Sequence, residues 1–564
     1  MRLLRSQSRW SLRLFLGIVG ASVAGYFAYL TAFGVNVVFW DDWGWETFLL
    51  PGYPTLASLW TQHNENIMFF PSILAVVIIH LTHWNSLAFM WLSAVMLAAV
   101  LGVMVGAFWG EIRRAPLLWV PLPFLVLSLA QYQNTLWAFQ FAWVLVLLSL
   151  VCTVALLARP AVGMKCLGLA ALIGVIGSYS SLEGLLVWPA GLVVLLATGR
   201  ANRLRLIWCV TGVAVTVGYF ADFSFAASGS APLSYVVANL SVALQGVLIT
   251  AGSIIPNTVA GVGAISSPVI TEVVGGLILA AALGVIVNWL RHGRTPGPRA
   301  FCVALIVASI LFDLTLIPGR LAESMYAGET SRYDTFMWPL LAGIYSYVVI
   351  GPSWRVSWKG WTWAPRVLLS AAVVAEVILS TLVGIEQGQI TRSVRLTSAD
   401  VLANWETAPP AVAAPYLLPP CANDPAVCTD LKAAANVLEG EKMSIFSEPG
   451  QVSRLREMGI LPGGVPARSL GIPPGLRDQI DSSASSQRAW NVLSAVYWSD
   501  PSLQSAFPQT AHGVTVLLEW AVASGSEVTS QAIIDAEWYP PVADGFFLVQ
   551  YESVYRGWVV SGKA

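Results

Sequence analysis

Two adjacent acids, Asp41 and Asp42, are the most chemically suggestive residues of the chain and lie in the segment FWDDWGWETF. Three tryptophans flank them: Trp40, Trp43 and Trp45. A carboxylate half-shielded by indole rings loses solvation, so its pKa rises towards that of a useful general base. The alternative is that the two acids cap the following helix or keep the loop hydrated. We favour the general base, because acids, aromatic residues and a His-x-Glu pair coincide in one loop.

The His-x-Glu pair is His63 and Glu65, in the sequence TQHNENIMFFP. The two side chains could bind a divalent metal together with Asp41 or Asp42. More often such a pair hydrogen-bonds a ligand or orients a catalytic acid, and we favour that role. We therefore expect that no cofactor is required, with a divalent metal as the alternative.

Further polar side chains occur in two other turns. QYQNTLWAFQ places Asn134 and Gln140 around Trp137, and SYSSLEGLLVWP places Glu183 in a very short turn. These residues are candidates for ligand binding.

Long apolar helices must position these motifs. Of 564 residues, 56% are hydrophobic and 11% charged, which indicates an integral membrane protein. The sequence predicts eleven spans: 12–33, 86–109, 116–132, 138–158, 166–180, 184–199, 206–222, 271–290, 300–317, 336–351 and 367–385. Up to residue 385, the loops on one side carry most of the basic residues, and the other side carries only Arg320 and Arg332. The positive-inside rule places the chemical motifs outside.

Two apolar stretches must not cross if this orientation holds. The stretch 69–84 is too short and contains Pro71 near its start, and 233–262 is interrupted by glycines and by Pro256. We expect both to lie at the outer interface or to re-enter it. The first span has a basic flank like a signal peptide but is longer than usual, so we expect it to stay uncleaved.

The two outward arginines lie close to Tyr333 in PGRLAESMYAGETSRYDTF. The arginine fork binds phosphate oxygens and stays charged, so Arg320 and Arg332 suit a lipid phosphate. The alternative is a salt bridge to an acid of the same loop. Those acids are Glu323, Glu329 and Asp334. We favour phosphate for Arg320 and leave both alternatives open for Arg332.

Two acids lie within predicted spans, where ionisable residues indicate function by default. Asp313 lies about one turn inside the outer end of its span and could pair with Arg320. Glu376 lies near the middle of the last span, and the sequence indicates no partner for it. Glu376 is the best single argument for a transporter.

The chain after residue 385 contains no predicted span. We expect a Pro-rich linker over 386–428 and a small external α+β or β-rich domain over 429–564, with a helix near 429–439 and strands in GVTVLLEWAV and GFFLVQYESVY. Cys421 and Cys428 lie in this exported region, so we expect a disulfide between them. The other four cysteines lie in or beside spans and are predicted to be inert packing residues.

This order of elements resembles the GT-C superfamily of membrane glycosyltransferases, which use sugars linked to polyprenyl phosphate. The resemblance covers about residues 10–385 and rests on WDDW, HNEN, NTLWAFQ and SRY. Many poorly characterised bacterial members read His-Asn-Glu-His-Arg where this chain reads His63-Asn64-Glu65-Asn66-Ile67. The resemblance implies a fold of about eleven membrane helices (residues 1–385), with interfacial helices at 55–62 and 69–84.

The resemblance also implies a reaction. Asp41 or Asp42 takes the proton of an acceptor hydroxyl, polyprenyl phosphate leaves, and Arg320 or Arg332 stabilises its charge. His63, Glu65 and the other first-loop acid orient the substrates, and tryptophan rings stack on sugar faces, Trp43 and Trp137 among them. The implied partners are a polyprenyl-phosphate sugar, a glycan, lipid or protein acceptor, and membrane lipids. We expect the bacterial inner membrane, with a cytoplasmic N-terminus and an external or periplasmic C-terminal domain.

Three other functions compete with this one. A lipid-linked-sugar flippase or transporter would use Glu376, Asp313 and Arg320, but the sequence has no inverted repeat. A polymerase or ligase acting on diphosphate-linked glycans would need more than one essential external arginine. A structural or sensory protein would leave the first-loop acids unexplained. No nucleotide-binding pattern occurs, which argues against a nucleotide-sugar donor, and we expect no nucleic-acid partner.

Overall fold

The computed structural model describes residues 2–458 except 51, 225–232, 255–257, 260–262, 265–267, 322–326, 352–363, 407–415 and 419–424, and then 537–538, 547–551 and 554–558. The chain divides into two units. The first comprises Met1–Ala32, Gly52–Val77 and Ala88–Gly388, and the second comprises Phe33–Pro51, Ile78–Leu87 and Gln389–Ala564.

Helices dominate the described residues. The helices are α1 (Arg2–Phe33), α2 (Leu56–Leu59), α3 (Phe69–Thr82), α4 (Ser86–Ala107), α5 (Trp109–Ile112), α6 (Pro121–Val126), α7 (Tyr132–Leu136), α8 (Phe141–Leu157), α9 (Met164–Ser178), α10 (Val187–Ala197), α11 (Asn202–Phe220), α12 (Leu233–Ala238), α13 (Leu240–Gly252), α14 (Pro268–His292), α15 (Gly297–Arg320), α16 (Asp334–Ile350), α17 (Ala364–Ala403), α18 (Pro425–Gly440) and α19 (Pro449–Met458).

The described strands form three small antiparallel sheets. They are β1 (Gln62–His63) with β2 (Asn66–Ile67), β3 (Thr258–Val259) with β4 (Gly263–Ala264), and β5 (Glu537–Trp538), β6 (Phe547–Tyr551) and β7 (Val554–Trp558) in that order. β6 and the start of β7 coincide with the predicted run GFFLVQYESVY, and α18 covers the helix predicted near 429–439. The run GVTVLLEWAV lies outside the described residues.

Seven helices among the described residues are long and apolar enough to cross a membrane. They are Arg9–Phe33, Ser86–Ala107, Ala138–Leu157, Asn202–Phe220, Val269–His292, Gly297–Arg320 and Ala371–Ala403. Each coincides with one of the eleven predicted spans, which supports the prediction of a helical membrane protein. The total of eleven spans stays a prediction.

The other four predicted spans are shorter or broken. Three of them correspond to α9, α10 and α16, helices of 15, 11 and 17 residues. The fourth, 116–132, is not one helix but three short helical pieces. Pro116 and Pro121 begin the first two pieces, because proline lacks the N–H that a continuous helix needs there.

The predicted non-spanning segments are also visible. The segment 69–84 forms α3, and 233–262 contains the short helices α12 and α13. The predicted interfacial helix at 55–62 is a single turn, α2, which leads into the hairpin of β1 and β2.

The last long helix, α17, has 40 residues and runs to Ala403. At 1.5 Å per residue its length is about 60 Å, roughly twice the hydrocarbon thickness of a bilayer. The first 18 residues of the predicted linker 386–428 are helical in the structure. The prolines that suggested a linker begin only at Pro409.

Within the first unit, α15 packs closely on α16 and α10, and α8 packs on α9. The contact between α15 and α16 depends on a glycine. A Cβ at Gly343 of α16 would lie 2.9 Å from Ile306 Cγ1 and 3.0 Å from the carbonyl oxygen of Cys302, both in α15. This close approach joins the N-terminal half of α15 to the middle of α16, and the opposite end of α15 carries Arg320.

Candidate functional site

The paired acids begin a ten-residue 3₁₀ helix, Trp40–Leu49, in the second unit. Asp42 fixes its first turn: Oδ2 of Asp42 accepts the N–H of Phe39 at 3.1 Å, and the Asp42 N–H donates to the Phe39 carbonyl at 3.1 Å. Trp40 has a left-handed φ of 50°, which is rare for a bulky residue. The N–H of Trp40 donates to the carbonyl of Leu417 at 2.7 Å, so the chain after residue 389 helps to hold this turn.

The two acids differ in exposure. Asp42 is 1% exposed, whereas Asp41 is half-buried. Three residues make one turn of a 3₁₀ helix, so consecutive side chains point about 120° apart. Asp41 therefore keeps access to solvent, and Asp42 is turned into the second unit.

Arg395 of α17 supplies a cation to this turn. Its side chain is 8% exposed, and its Cζ lies 3.2 Å from the centroid of the Phe39 ring. The guanidinium also interacts electrostatically with Asp42, and this attraction offsets part of the cost of burying both charges. Arg395 was not predicted from the sequence. The isolated charge between Val394 and Leu396 was the signal that could have found it.

The 3₁₀ helix Trp40–Leu49 also contains buried aromatic residues and one further acid. Trp43 and Trp45 are buried, so stacking of Trp43 on a sugar stays a prediction. Burial, and secondarily Asp430, raises the pKa of the half-buried Glu46 to about 7. A pKa in this range was predicted for the paired acids, and Glu46 was not among the predicted site residues.

Both predicted arginines converge on one hydroxyl in the first unit. Arg320 donates its Nε to the hydroxyl of Tyr333 at 3.1 Å and its Nη2 to Oε1 of Glu65 at 2.8 Å. Arg332 donates its Nη2 to the same hydroxyl at 3.4 Å and lies over the Tyr333 ring, 5.2 Å from its centroid. We call Glu65, Arg320, Arg332 and Tyr333 the arginine cluster.

The acid that pairs with Arg320 differs from the acid named as its possible partner. The sequence suggested Asp313, whereas the structure pairs Arg320 with Glu65, whose side chain is 12% exposed against 18% for Arg320. Glu323, one of the suggested loop acids, lies outside the described residues. Because Glu65 and Arg320 are 255 residues apart, no local pattern could have predicted this pair.

A buried tyrosine positions Glu65. The hydroxyl of Tyr219, in α11, accepts the N–H of Ile67 at 3.0 Å and donates to the carbonyl of Glu65 at 2.9 Å. The hairpin of β1 and β2 is too short to be stable by itself, so these contacts fix its backbone. The Glu65 carboxylate is therefore held at the arginine cluster by its main chain.

Glu183 lies beside the same cluster, in the 3₁₀ turn Leu182–Leu186. The hydroxyl of Ser181 donates to Asn66 Oδ1 at 2.7 Å and also hydrogen-bonds the Glu183 carboxylate. Burial raises the pKa of Glu183 to about 7; the Ser181 hydrogen bond lowers it, Glu65 raises it, and Arg320 lowers it. The structure thus brings Glu183 into the electrostatic surroundings of Glu65 and Arg320.

Two predicted amide residues are buried. Asn134 donates its Nδ2 to the carbonyl of Arg332 at 2.6 Å and hydrogen-bonds the hydroxyl of Thr335. Asn134 therefore positions the backbone of Arg332 in the arginine cluster. Gln140 is also buried. Direct substrate binding by Asn134 and Gln140 stays a prediction.

An aromatic group contains two more predicted residues. The ring of His63 lies 4.9 Å from that of Phe139, and the Trp137 ring lies 6.4 Å from the same phenylalanine. His63 is half-buried and Trp137 is buried. The paired acids and Trp43 belong to the second unit, and the other predicted substrate-binding residues belong to the first.

Three further acids of the first unit are buried: Asp313, Asp334 and Glu376. The hydroxyl of Ser253 donates to Oδ1 of Asp334 at 3.5 Å. Burial, and next the charge of Glu376, raises the pKa of Asp334 well above its usual value. Glu376, for which the sequence indicated no partner, thus has Asp334 as an electrostatic neighbour.

No group of three His, Cys, Asp or Glu side chains within the described residues could hold a metal ion, and a role for a divalent metal stays a prediction. Cys428 is buried and disulfide-bonded, and its predicted partner Cys421 lies outside the described residues. The other four cysteines are free thiols: Cys152, Cys166, Cys209 and Cys302.

Comparison with known proteins does not identify the class of this protein. No protein-family model matches the sequence, and no curated protein matches it. The resemblance to the GT-C superfamily accordingly stays a prediction.

Proposed function

We propose that this chain is a membrane glycosyltransferase that moves a sugar from a polyprenyl-phosphate donor to a glycan, lipid or protein acceptor on the external face. The observation that carries the proposal is the convergence of Arg320 and Arg332 on the hydroxyl of Tyr333. Two guanidinium groups directed at one point suit a phosphate better than they suit an uncharged ligand.

The charge of the arginine cluster also fits a phosphodiester. Arg320 and Arg332 contribute two positive charges, and Glu65 contributes one negative charge through its 2.8 Å contact with Arg320. The cluster thus carries a net positive charge, and phosphate leaving with one additional negative charge is stabilised there. Because phosphate is a good leaving group, the mechanism needs no metal.

The paired acids supply the other half of the mechanism. Asp41 or Asp42 takes the proton of the acceptor hydroxyl as that oxygen attacks the anomeric carbon. The bond from the anomeric carbon to the phosphate oxygen breaks, and its electron pair leaves with the polyprenyl phosphate.

A transfer assay tests the proposal. Purified protein in nanodiscs is given a panel of radiolabelled polyprenyl-phosphate sugars and a cell-envelope acceptor fraction. We expect label to move to the acceptor, the Asp41→Asn/Asp42→Asn variant to be inactive although folded, and Arg320→Gln to lose roughly 100-fold in rate, as when one stabilising donor is removed. Arg114→Gln, at an exposed position with 76% side-chain exposure, is the matched control.

The assay refutes the proposal if both single aspartate variants retain the wild-type rate. A flippase or transporter is the second candidate, and the buried acids Asp313, Asp334 and Glu376 favour it. In that case no donor transfers label, but a labelled lipid changes leaflets in proteoliposomes, and Glu376→Gln stops the movement. The transferase proposal expects Glu376→Gln to have little effect on either measurement.

A further inference from the structure

We call the turn that carries Asp41 and Asp42 the acidic turn. Residues that follow it by more than 350 positions in the chain contact this turn and stabilise it. Asp42 is 1% exposed and already uses Oδ2 to accept the N–H of Phe39. Arg395 lies over the Phe39 ring at 3.2 Å and interacts with the Asp42 carboxylate. Phe39 therefore contacts both charged groups, one through its main chain and one through its ring.

Geometry separates the tasks of the two acids. A carboxylate that takes a proton from an incoming hydroxyl must be within hydrogen-bond reach of it. Asp41 is half-buried, whereas Asp42 has almost no exposed surface. The 3₁₀ geometry points the neighbouring side chains about 120° apart, so fixing Asp42 also fixes the direction of Asp41.

From this arrangement we infer that Arg395 is a positioning residue that acts through Asp42, and that Asp41 is the acid that takes the proton. The catalytic part of the inference rests on the proposed function. In the reaction, the acceptor O–H bond breaks and its proton binds to Asp41. The acceptor oxygen bonds to the anomeric carbon, and the electron pair of the old bond leaves with the phosphate.

The inference gives the region after residue 388 a task that the sequence did not suggest. Arg395 lies in the second unit together with Asp42, at the end of α17 that extends past the predicted span. Leu417 adds a second contact through its hydrogen bond from the N–H of Trp40. These residues are part of the acidic turn rather than of a detachable linker.

A double-mutant cycle tests the inference by activity. The variants are Arg395→Met, Asp42→Asn and both together, with Arg395→Lys as the conservative variant and Arg392→Met, an exposed position one turn away, as the control. We expect Arg395→Met to lower kcat per folded molecule by roughly 10- to 100-fold, since small misplacements of a reacting group have effects of this size. Arg395→Lys should keep most of the wild-type kcat, because lysine keeps the positive charge. If Arg395 contributed only a packing contact, lysine would not restore kcat.

Substitutions at Asp41 and at Asp42 decide which of the two acids is the base. In Asp42→Asn the amide oxygen of the new side chain can still accept the Phe39 N–H. We therefore expect the double variant Asp42→Asn/Arg395→Met to have a higher kcat than Arg395→Met alone. Asp41→Asn should show no transfer at all. Complete loss of transfer in folded Asp42→Asn, with transfer retained in Asp41→Asn, would overturn the assignment. Equal kcat in wild type and Arg395→Met would overturn the role of Arg395.

Denaturant unfolding of the same variants supplies a measurement that needs no substrate. We expect Arg395→Met to unfold at lower denaturant than the double variant, because it alone leaves a buried carboxylate without its cation. Strictly additive effects of the two substitutions would contradict the contact. If the wild type transfers no sugar, the proposed function and the role of Asp41 both fail, while the unfolding cycle still decides whether Arg395 holds Asp42.

Discussion

The ion pair between Glu65 and Arg320 makes a quantitative prediction about stability. The Nη2–Oε1 distance is 2.8 Å, and the side chains are 12% and 18% exposed, so solvent screens the attraction only weakly. Removing one partner of a buried pair costs about 3–5 kcal/mol. Because this pair keeps some exposure, we expect about 3 kcal/mol for Arg320→Met, which leaves Glu65 near the acidic Glu183 without its cation.

A second double-mutant cycle isolates the pair itself. We expect Arg320→Met and Glu65→Gln to couple by about 2 kcal/mol, the range of a hydrogen bond to a charged group. The matched control is the pair of Glu111 and Arg114, with a similar distance of 2.9 Å but side-chain exposures of 26% and 76%. Three residues apart at the exposed end of α5, that pair should couple by only about 0.2–0.5 kcal/mol.

The assay is unfolding of purified protein in mixed micelles at increasing SDS fraction, followed by tryptophan fluorescence. The free energy of unfolding is taken for the wild type, the two single variants and the double variant of each pair. If the two pairs couple equally, burial does not determine the strength of these contacts, and the reasoning is wrong. A coupling near zero between Glu65 and Arg320 would show that these side chains do not interact, and Glu65 would then not belong to the arginine cluster.

Two further predictions concern the turn that carries Glu183. Because burial raises the folded-state pKa of Glu183 from 4.5 to about 7, its stabilising contribution is complete below pH 4.5 and is lost as pH rises through 7. Glu183→Gln should therefore flatten the dependence of the unfolding free energy on pH in this window. An unchanged slope would contradict this prediction. A Cβ at Gly184 would overlap the carbonyl of Gly177, so Gly184→Ala should destabilise by about 1–3 kcal/mol in the same unfolding assay. Gly168→Ala, which meets no atom within 4 Å, should be neutral or stabilising, and equal effects at both glycines would refute the steric argument.

Local hydropathy predicted the parts of the fold that depend on local sequence. The seven long apolar helices were predictable because twenty apolar residues need no tertiary partner to indicate a span. The segment 116–132 is as apolar as those spans, yet it forms three short helical pieces, two of which begin at a proline, a signal that hydropathy does not weigh. The extension of α17 to Ala403 was missed because its charged residues end the hydropathy signal without ending the helix.

Residue types predicted which side chains carry charge at the site but not which ones meet. Arg332 and Tyr333 are adjacent in the sequence and Arg320 precedes Tyr333 by 13 residues, so their cluster was foreseeable. Glu65 joins that cluster from 255 residues away, and its place depends on the hydrogen bonds of Tyr219 to the hairpin. Such pairs depend on where tertiary packing places α11 and α15, which periodicity alone does not specify.

The two arginines that pair with first-loop acids suggest why acids can lie in that loop. Arg320 is held by Glu65 and Tyr333, and Arg395 by Asp42 and the Phe39 ring. In each unit an acid from the first loop receives its cation from the second half of the chain. An unpaired buried carboxylate would be protonated or would destabilise the fold. The buried acids of the first loop therefore receive their cations only when α15 and the end of α17 have folded, so a chain truncated before Arg395 should leave the turn at Asp42 without the charge that holds it.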